Sequence, residues 1–124
     1  MVNKRILVVE DNPINVIVLK KFIENYYELD AATNGQKAIE MIEKNNYALV
    51  LMDINLGGEQ MNGAEVLRKV RENAHFNHLP FIAVTAYVTE EAIQKFKEDG
   101  FADVVSKPID RERILNTINK YIAV

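Results

Sequence analysis

The sequence predicts a doubly wound α/β fold, a five-stranded parallel sheet in the order 2-1-3-4-5 with five helices on its two faces. Three observations predict it. Short apolar runs alternate along the chain with stretches whose apolar residues fall at helical spacing. The runs lack a polar alternation, as in Leu49, Val50, Leu51 and Met52, which suits strands covered on both faces. A helix pattern separates each strand from the next, and parallel neighbours need right-handed crossovers of that kind.

The first strand is Arg5 to Val9, RILVV, and it stops at Glu10 and Asp11. Asn12 then caps a helix with Pro13 at its first position. From Ile14 to about Tyr26, apolar residues at 14, 18, 22 and at 19, 23, 26 predict one buried stripe. Glu28 to Ala32 is the second strand, the one with the thinnest pattern. Asn34 caps the next helix, which runs to about Lys44 with Ala38, Ile39, Met41 and Ile42 as its apolar positions.

Ala48 to Asp53, ALVLMD, is the third strand, and Ile54 to Gly63 is a loop marked by Gly57 and Gly58. Asn62 opens the third helix, Glu65 completes a capping box, and Val66, Leu67 and Val70 carry its stripe toward Asn73. After the connector HFNHLP, Phe81 to Val84 is the fourth strand, ending at Thr85 and Ala86. Thr89 caps the fourth helix, whose first turn holds Glu90 and Glu91 and whose end is Gly100. Ala102 to Ser106 is the fifth strand, closed by Lys107 and Pro108. Asp110 caps a last helix with Ile114, Leu115, Ile118, Tyr121 and Ile122 on one face.

With 124 residues, 48% of them hydrophobic, the chain is expected to form a single domain over 1–124 without disulfide or metal staples. The lack of cysteine excludes disulfides, thiolate catalysis and cysteine metal sites, and agrees with a cytoplasmic protein. Fifteen basic and eighteen acidic residues leave a net charge of −3, too acidic for a general phosphate-backbone binder, so nucleic acid is not an expected partner. No apolar run has signal-peptide length or approaches the ~18 to 20 residues that span a bilayer, so no membrane partner is expected either.

In the predicted strand order, strands one and three are neighbours, and the reversal of chain direction between them opens a crevice at their carboxyl ends. Glu10, Asp11 and Asp53 all stand there. Three converging carboxylates repel one another unless a positive charge joins them, and so small an all-oxygen cluster suits hydrated Mg²⁺ or Mn²⁺. The same rim receives the Thr85 hydroxyl and the Lys107 ammonium. Taken singly, a strand-end Asp or Thr caps a turn and a surface Lys is solvated; five such groups at one rim point instead to phosphoryl chemistry. A carboxylate acts there as nucleophile, and the cations and the hydroxyl neutralise the transferred oxygens.

The motifs VVEDN at 8–12, LMDIN at 51–55, MNG at 61–63, VTA at 84–86 and SKP at 106–108 resemble, in order and spacing, those of receiver domains of two-component response regulators. The resemblance covers the whole chain and implies the flavodoxin-like fold of the CheY-like superfamily. It implies that Asp53 accepts a phosphoryl group from a kinase histidine or a small phosphodonor, and that the protein turns over no foreign substrate. Asp11, Asp53 and the backbone carbonyl of Asn55 would ligate Mg²⁺, with Glu10 reaching the ion through water. Thr85 and Lys107 would contact the phosphoryl oxygens, and the Lys107–Pro108 bond would be cis. The implied partners are a histidine kinase or a histidine phosphotransfer protein, with the chain a monomer or weak dimer.

The chain stops soon after its fifth helix, so a stand-alone regulator or phosphorelay intermediate signalling by a change in its contact face is expected. VEDNPIN also resembles receivers of hybrid histidine kinases, the alternative source of such a domain. A phosphatase of the haloacid-dehalogenase type would need a second Asp two residues after Asp53, and that position is Asn55.

Two departures from the receiver pattern stand out. The loop carrying Gly57, Gly58, Glu59 and Gln60 is two residues longer than usual and lacks its proline, which predicts more mobility beside the metal. Val104 replaces the aromatic residue that swings inward in many receivers. The resemblance implies that Asn55 and Tyr87, two residues beyond Asp53 and Thr85, would flank the approach of water to the phosphoryl group, and the bulk of Tyr87 predicts slow hydrolysis. His75 and His78 are expected in an exposed turn, Tyr26 and Tyr27 in packing, and the Arg111, Glu112, Arg113 run in a solvated helix turn.

Overall fold

A computed structural model of the chain describes residues 3–54, 63–86 and 88–122. Eleven elements follow one another: β1 (Arg5–Val9), α1 (Pro13–Ile23), β2 (Glu28–Ala32), α2 (Gly35–Lys44), β3 (Leu49–Asp53), α3 (Gly63–Arg71), a 3-10 turn (Ala74–Phe76), β4 (Phe81–Thr85), α4 (Glu90–Asp99), β5 (Asp103–Ser106) and α5 (Arg111–Tyr121). The strands pair in parallel in the order β2-β1-β3-β4-β5, as expected. Among the described residues no helix is long and apolar enough to cross a membrane.

The apolar runs divide their side chains between two cores because successive residues of a strand point to opposite faces. Leu7, Val9, Val50, Met52, Phe81 and Ala83 face one way, onto Ala38 and Ile42 of α2 and Val66, Leu67 and Val70 of α3. Ile6, Val8, Leu49, Leu51, Ile82 and Val84 face the other, onto Leu19 and Ile23 of α1 and Ile114 and Ile118 of α5. Each fully buried aliphatic side chain contributes about 1.5–3 kcal/mol, and the central strands β1, β3 and β4 supply most of them.

The helix starts follow their caps. Side chains of Asn12, Asn34, Thr89 and Asp110 accept from backbone N–H groups of the first turns of α1, α2, α4 and α5. Gly100 ends α4 at φ 110°, where a side chain would be strained and a Cβ would come within 3.2 Å of Leu67. The Asn62 cap and the loop over 55–61 lie outside the described residues.

Helix α1 departs from expectation twice. It ends at Ile23 rather than near Tyr26, because β2 must begin at Glu28, whose N–H donates to Lys4; the N–H groups of Tyr26 and Tyr27 both turn back onto the Ile23 carbonyl. Its buried stripe is also narrower. Leu19 and Ile23 are buried, whereas Ile14 and Val18 are 68% and 40% exposed. Adjacent helix positions are about 100° apart, so packing the 19/23 row onto the sheet turns the 14/18 row outward. Ile17 joins this outer face at 55% exposure. Of the two tyrosines expected to pack, Tyr27 does and bonds Asn119, but Tyr26 is 52% exposed beyond the helix end.

Arg71 closes the far end of the sheet. Its guanidinium donates to the carbonyls of Phe76 and Leu79 at 2.5 and 2.8 Å and lies over the Phe81 ring, holding the connector between α3 and β4. His75 and His78, on that connector, are exposed as expected.

Candidate functional site

The parallel register brings the strand ends level. Val9 of β1 pairs with Met52 of β3, Asp53 with Val84 of β4, and Thr85 with Ser106 of β5. The residues just beyond therefore share one rim. Glu10 continues the sheet through its N–H to the Ala32 carbonyl at 3.0 Å, Ile54 through its N–H to Val84 at 2.9 Å, and Lys107 through its N–H to Thr85 at 2.8 Å.

Four of the sequence-predicted site residues meet directly. Carboxylate oxygens of Glu10, Asp11 and Asp53 all lie within 4.8 Å of one another. The Lys107 ammonium pairs with Oδ1 of Asp53. The Asp53 side chain is only 6% exposed, which strengthens that pairing by excluding water. The Lys107–Pro108 peptide bond is cis. Thr85 ends β4 fully buried, one residue past the partner of Asp53.

Glu10 shows the electrostatic cost of this crowding. Burial pushes its carboxyl above the usual carboxylate range, and the Asp53 charge and a hydrogen bond shared with Asp11 push the same way. The Asn12 N–H, donating to Glu10 Oε1 at 3.0 Å, and the Lys107 charge oppose the rise. Three carboxylates against one ammonium leave the cluster short of positive charge, and its donors are all oxygen. Such a set fits a hard divalent cation.

Asn55, the remaining predicted ligand, and Tyr87, the predicted water barrier, lie outside the described residues. His75 and His78 join no metal-ligating group among the described residues. Val104 is half-buried and packs against the core facing α2 and α3. Two features of the region were not foreseen. One is the hydrogen bond from Asn12 to Glu10, although the sequence marks Asn12 as a cap directly after the acid pair. The other is the apolar outer face of α1, hidden by a helical spacing that fits either of two rows.

The family model for the response regulator receiver domain matches residues 6–119. The polar-differentiation response regulator DivK of Brucella anthropi is 32% identical over 120 residues, 96% of each chain. Among solved structures, chemotaxis protein CheY4 of Vibrio cholerae superposes with a TM-score of 0.87 at 22% identity, over 96% of this chain and 98% of that one. The receiver domain of the Saccharomyces cerevisiae response regulator Ssk1, crystallised with the histidine phosphotransfer protein Ypd1, belongs to a structure that matches with a TM-score of 0.85 at 24% identity, over 97% of this chain and 89% of that chain. A sequence match running from β1 into α5, on a sheet with the same strand order and an acid rim at its carboxyl end, leaves one assignment: the chain belongs to the response regulator receiver domain family of two-component systems.

Proposed function

We propose that this receiver is a phosphoacceptor whose acceptor is Asp53. A carboxylate oxygen of Asp53 forms a bond to phosphorus as the bond from phosphorus to the donor's histidine nitrogen, or to a small donor's leaving oxygen, breaks. The observation that carries this reading is the Lys107 ammonium on a nearly buried Asp53, beside two further acids. Lys107 is placed to follow the charge from the carboxylate onto a phosphoryl oxygen, and Thr85 to donate its hydroxyl to another. Asp11, Asp53 and the carbonyl of Asn55 would hold Mg²⁺, or Mn²⁺ in its place, with Glu10 acting through water. When bound, the ion supplies positive charge to the phosphoryl oxygens.

The donor in this reading is a histidine kinase or histidine phosphotransfer protein, and the yeast receiver crystallised with such a protein supports that class of partner. The outer face of α1, with Ile14, Ile17 and Val18 exposed beside the rim, offers that donor an apolar contact. The protein works in the cytoplasm as one domain, monomeric or weakly dimeric, and signals through a change in its contact face. It catalyses only its own phosphorylation and dephosphorylation.

The test is labelling by a small phosphodonor with and without Mg²⁺, read by intact mass. Labelling should require the ion, and Asp11→Ala should weaken Mg²⁺ binding and labelling together. Labelling that persists in a chelator, or Mg²⁺ affinity unchanged in Asp11→Ala, would contradict the assigned site.

A further inference from the structure

We infer that Asn12 is a positioning residue for the metal site, acting through Glu10. The inference rests on the proposed Mg²⁺ site and concerns a residue that contacts neither the acceptor nor the transferred group.

Asn12 makes three bonds that run in different directions. Its backbone N–H donates to Glu10 Oε1 at 3.0 Å, its side-chain Oδ1 accepts from the Ile14 N–H at 2.9 Å, and its carbonyl accepts from the Val16 N–H at 3.2 Å. The last two anchor the residue to the first turn of α1. The first turns the carboxylate of a buried acid. Asn12 sits at φ −93° and ψ 113°. Pro13 already confines the residue before it to the extended region, but that region spans a range of φ of about ±40°. The Oδ1 bond to Ile14 selects one geometry within it, and with it the direction of the Asn12 N–H.

Glu10 depends on that N–H. It is 5% exposed, lies beside Asp11 and Asp53, and has Lys107 as the cation acting on it. With Oε1 held by Asn12, the rotation of the carboxylate about its last bond is set. A side chain that outer-sphere coordination requires in one orientation is thus held by the cap of the neighbouring helix. The bond ties the geometry of the metal site to the same turn that begins the exposed face of α1.

The experiment compares Asn12→Ala, which removes the cap, with Asn12→Ser, which keeps a capping oxygen and adds no charge. Mg²⁺ affinity is measured by titration calorimetry, and the residue-12 amide is followed by ¹⁵N–¹H NMR. Asn12→Ala should weaken Mg²⁺ binding about threefold to tenfold, the range set by one helix-cap hydrogen bond, and Asn12→Ser should restore most of it. The residue-12 amide of the natural protein should move when Glu10 is changed to Gln, and the Asn12→Ala amide should move less. A purely structural cap would lower the thermal midpoint of Asn12→Ala and leave Mg²⁺ affinity and the amide response to Glu10→Gln unchanged; that result overturns the inference alone. If the natural protein binds no Mg²⁺, the proposed metal site fails and the inference with it, and the two failures are told apart by the first titration.

Discussion

At the scale of single residues, Lys107 and Asp53 carry the proposed chemistry, since they form a direct ion pair. Removing the ammonium leaves three acids with no compensating charge inside the cluster. Lys107→Ala should therefore bind Mg²⁺ as well as the natural protein or more tightly, while loading from a phosphodonor slows by about 10²-fold, the usual scale for deleting one charge-stabilising group. Equal loading rates in the two proteins would remove Lys107 from the mechanism.

Tyr47 offers a second test at this scale, far from the chemistry. It donates to Asp30 Oδ2 at 2.8 Å, beside the Arg5 guanidinium that pairs with the same oxygen at 3.1 Å. Burial first, and then the Asp30 bond and charge, push its hydroxyl from 10.0 to about 12. Between those values the unfolded chain has lost the proton and the folded chain keeps it, so the folded state binds more protons and stability falls as pH rises from 10 toward 12. Tyr47→Phe should flatten part of that slope in denaturant titrations. Burial also pushes up the hydroxyls of Tyr27 and Tyr121, so both add to the slope in the same direction. An identical slope in Tyr47→Phe would show that Tyr47 ionises no later in the fold than in the unfolded chain.

At the scale of elements, Gly63 at the start of α3 packs closely against Ile54 and Met52. A Cβ added at Gly63 would come within 2.5 Å of Ile54 Cδ1 and 2.8 Å of Met52 Cγ. Gly63→Ala should cost about 1–3 kcal/mol through overpacking, seen as a lower urea midpoint with an unchanged m-value. A neutral result would mean that Ile54 and Met52 repack freely.

The same scale shows what patterning could and could not decide. Strands β1, β3 and β4 were legible because unbroken apolar runs suit a sheet covered twice, whereas β2 and β5, which carry Glu28, Asp30 and Asp103, were legible chiefly from their places between helix patterns. Asn12, Asn34, Thr89, Asp110 and Gly100 marked helix ends because capping is local chemistry. The orientation of α1 was not legible. Rows 14/18/22 and 19/23 are equally apolar, and only docking on the sheet selects between them.

At the scale of the whole molecule, the site was legible because topology is enough to gather strand ends: parallel pairing puts residues 10, 11, 53 and 107 at one rim once the order is known. The link from Asn12 to Glu10 was not, because it depends on the direction of one N–H bond. The outer face of α1 makes its own prediction. Ile17→Asp should change stability by less than about 0.5 kcal/mol, as an exposed position allows, and leave labelling by a small phosphodonor intact. Transfer from a histidine phosphotransfer protein should slow. Undiminished transfer would place the donor on another surface.

The central claim is that Asp53 is the acceptor, and the most direct measurement is the intact mass of the natural protein and of Asp53→Asn after incubation with a small phosphodonor and Mg²⁺. The natural protein should gain one phosphoryl group and Asp53→Asn none. A phosphoryl adduct of equal yield on Asp53→Asn would contradict the account.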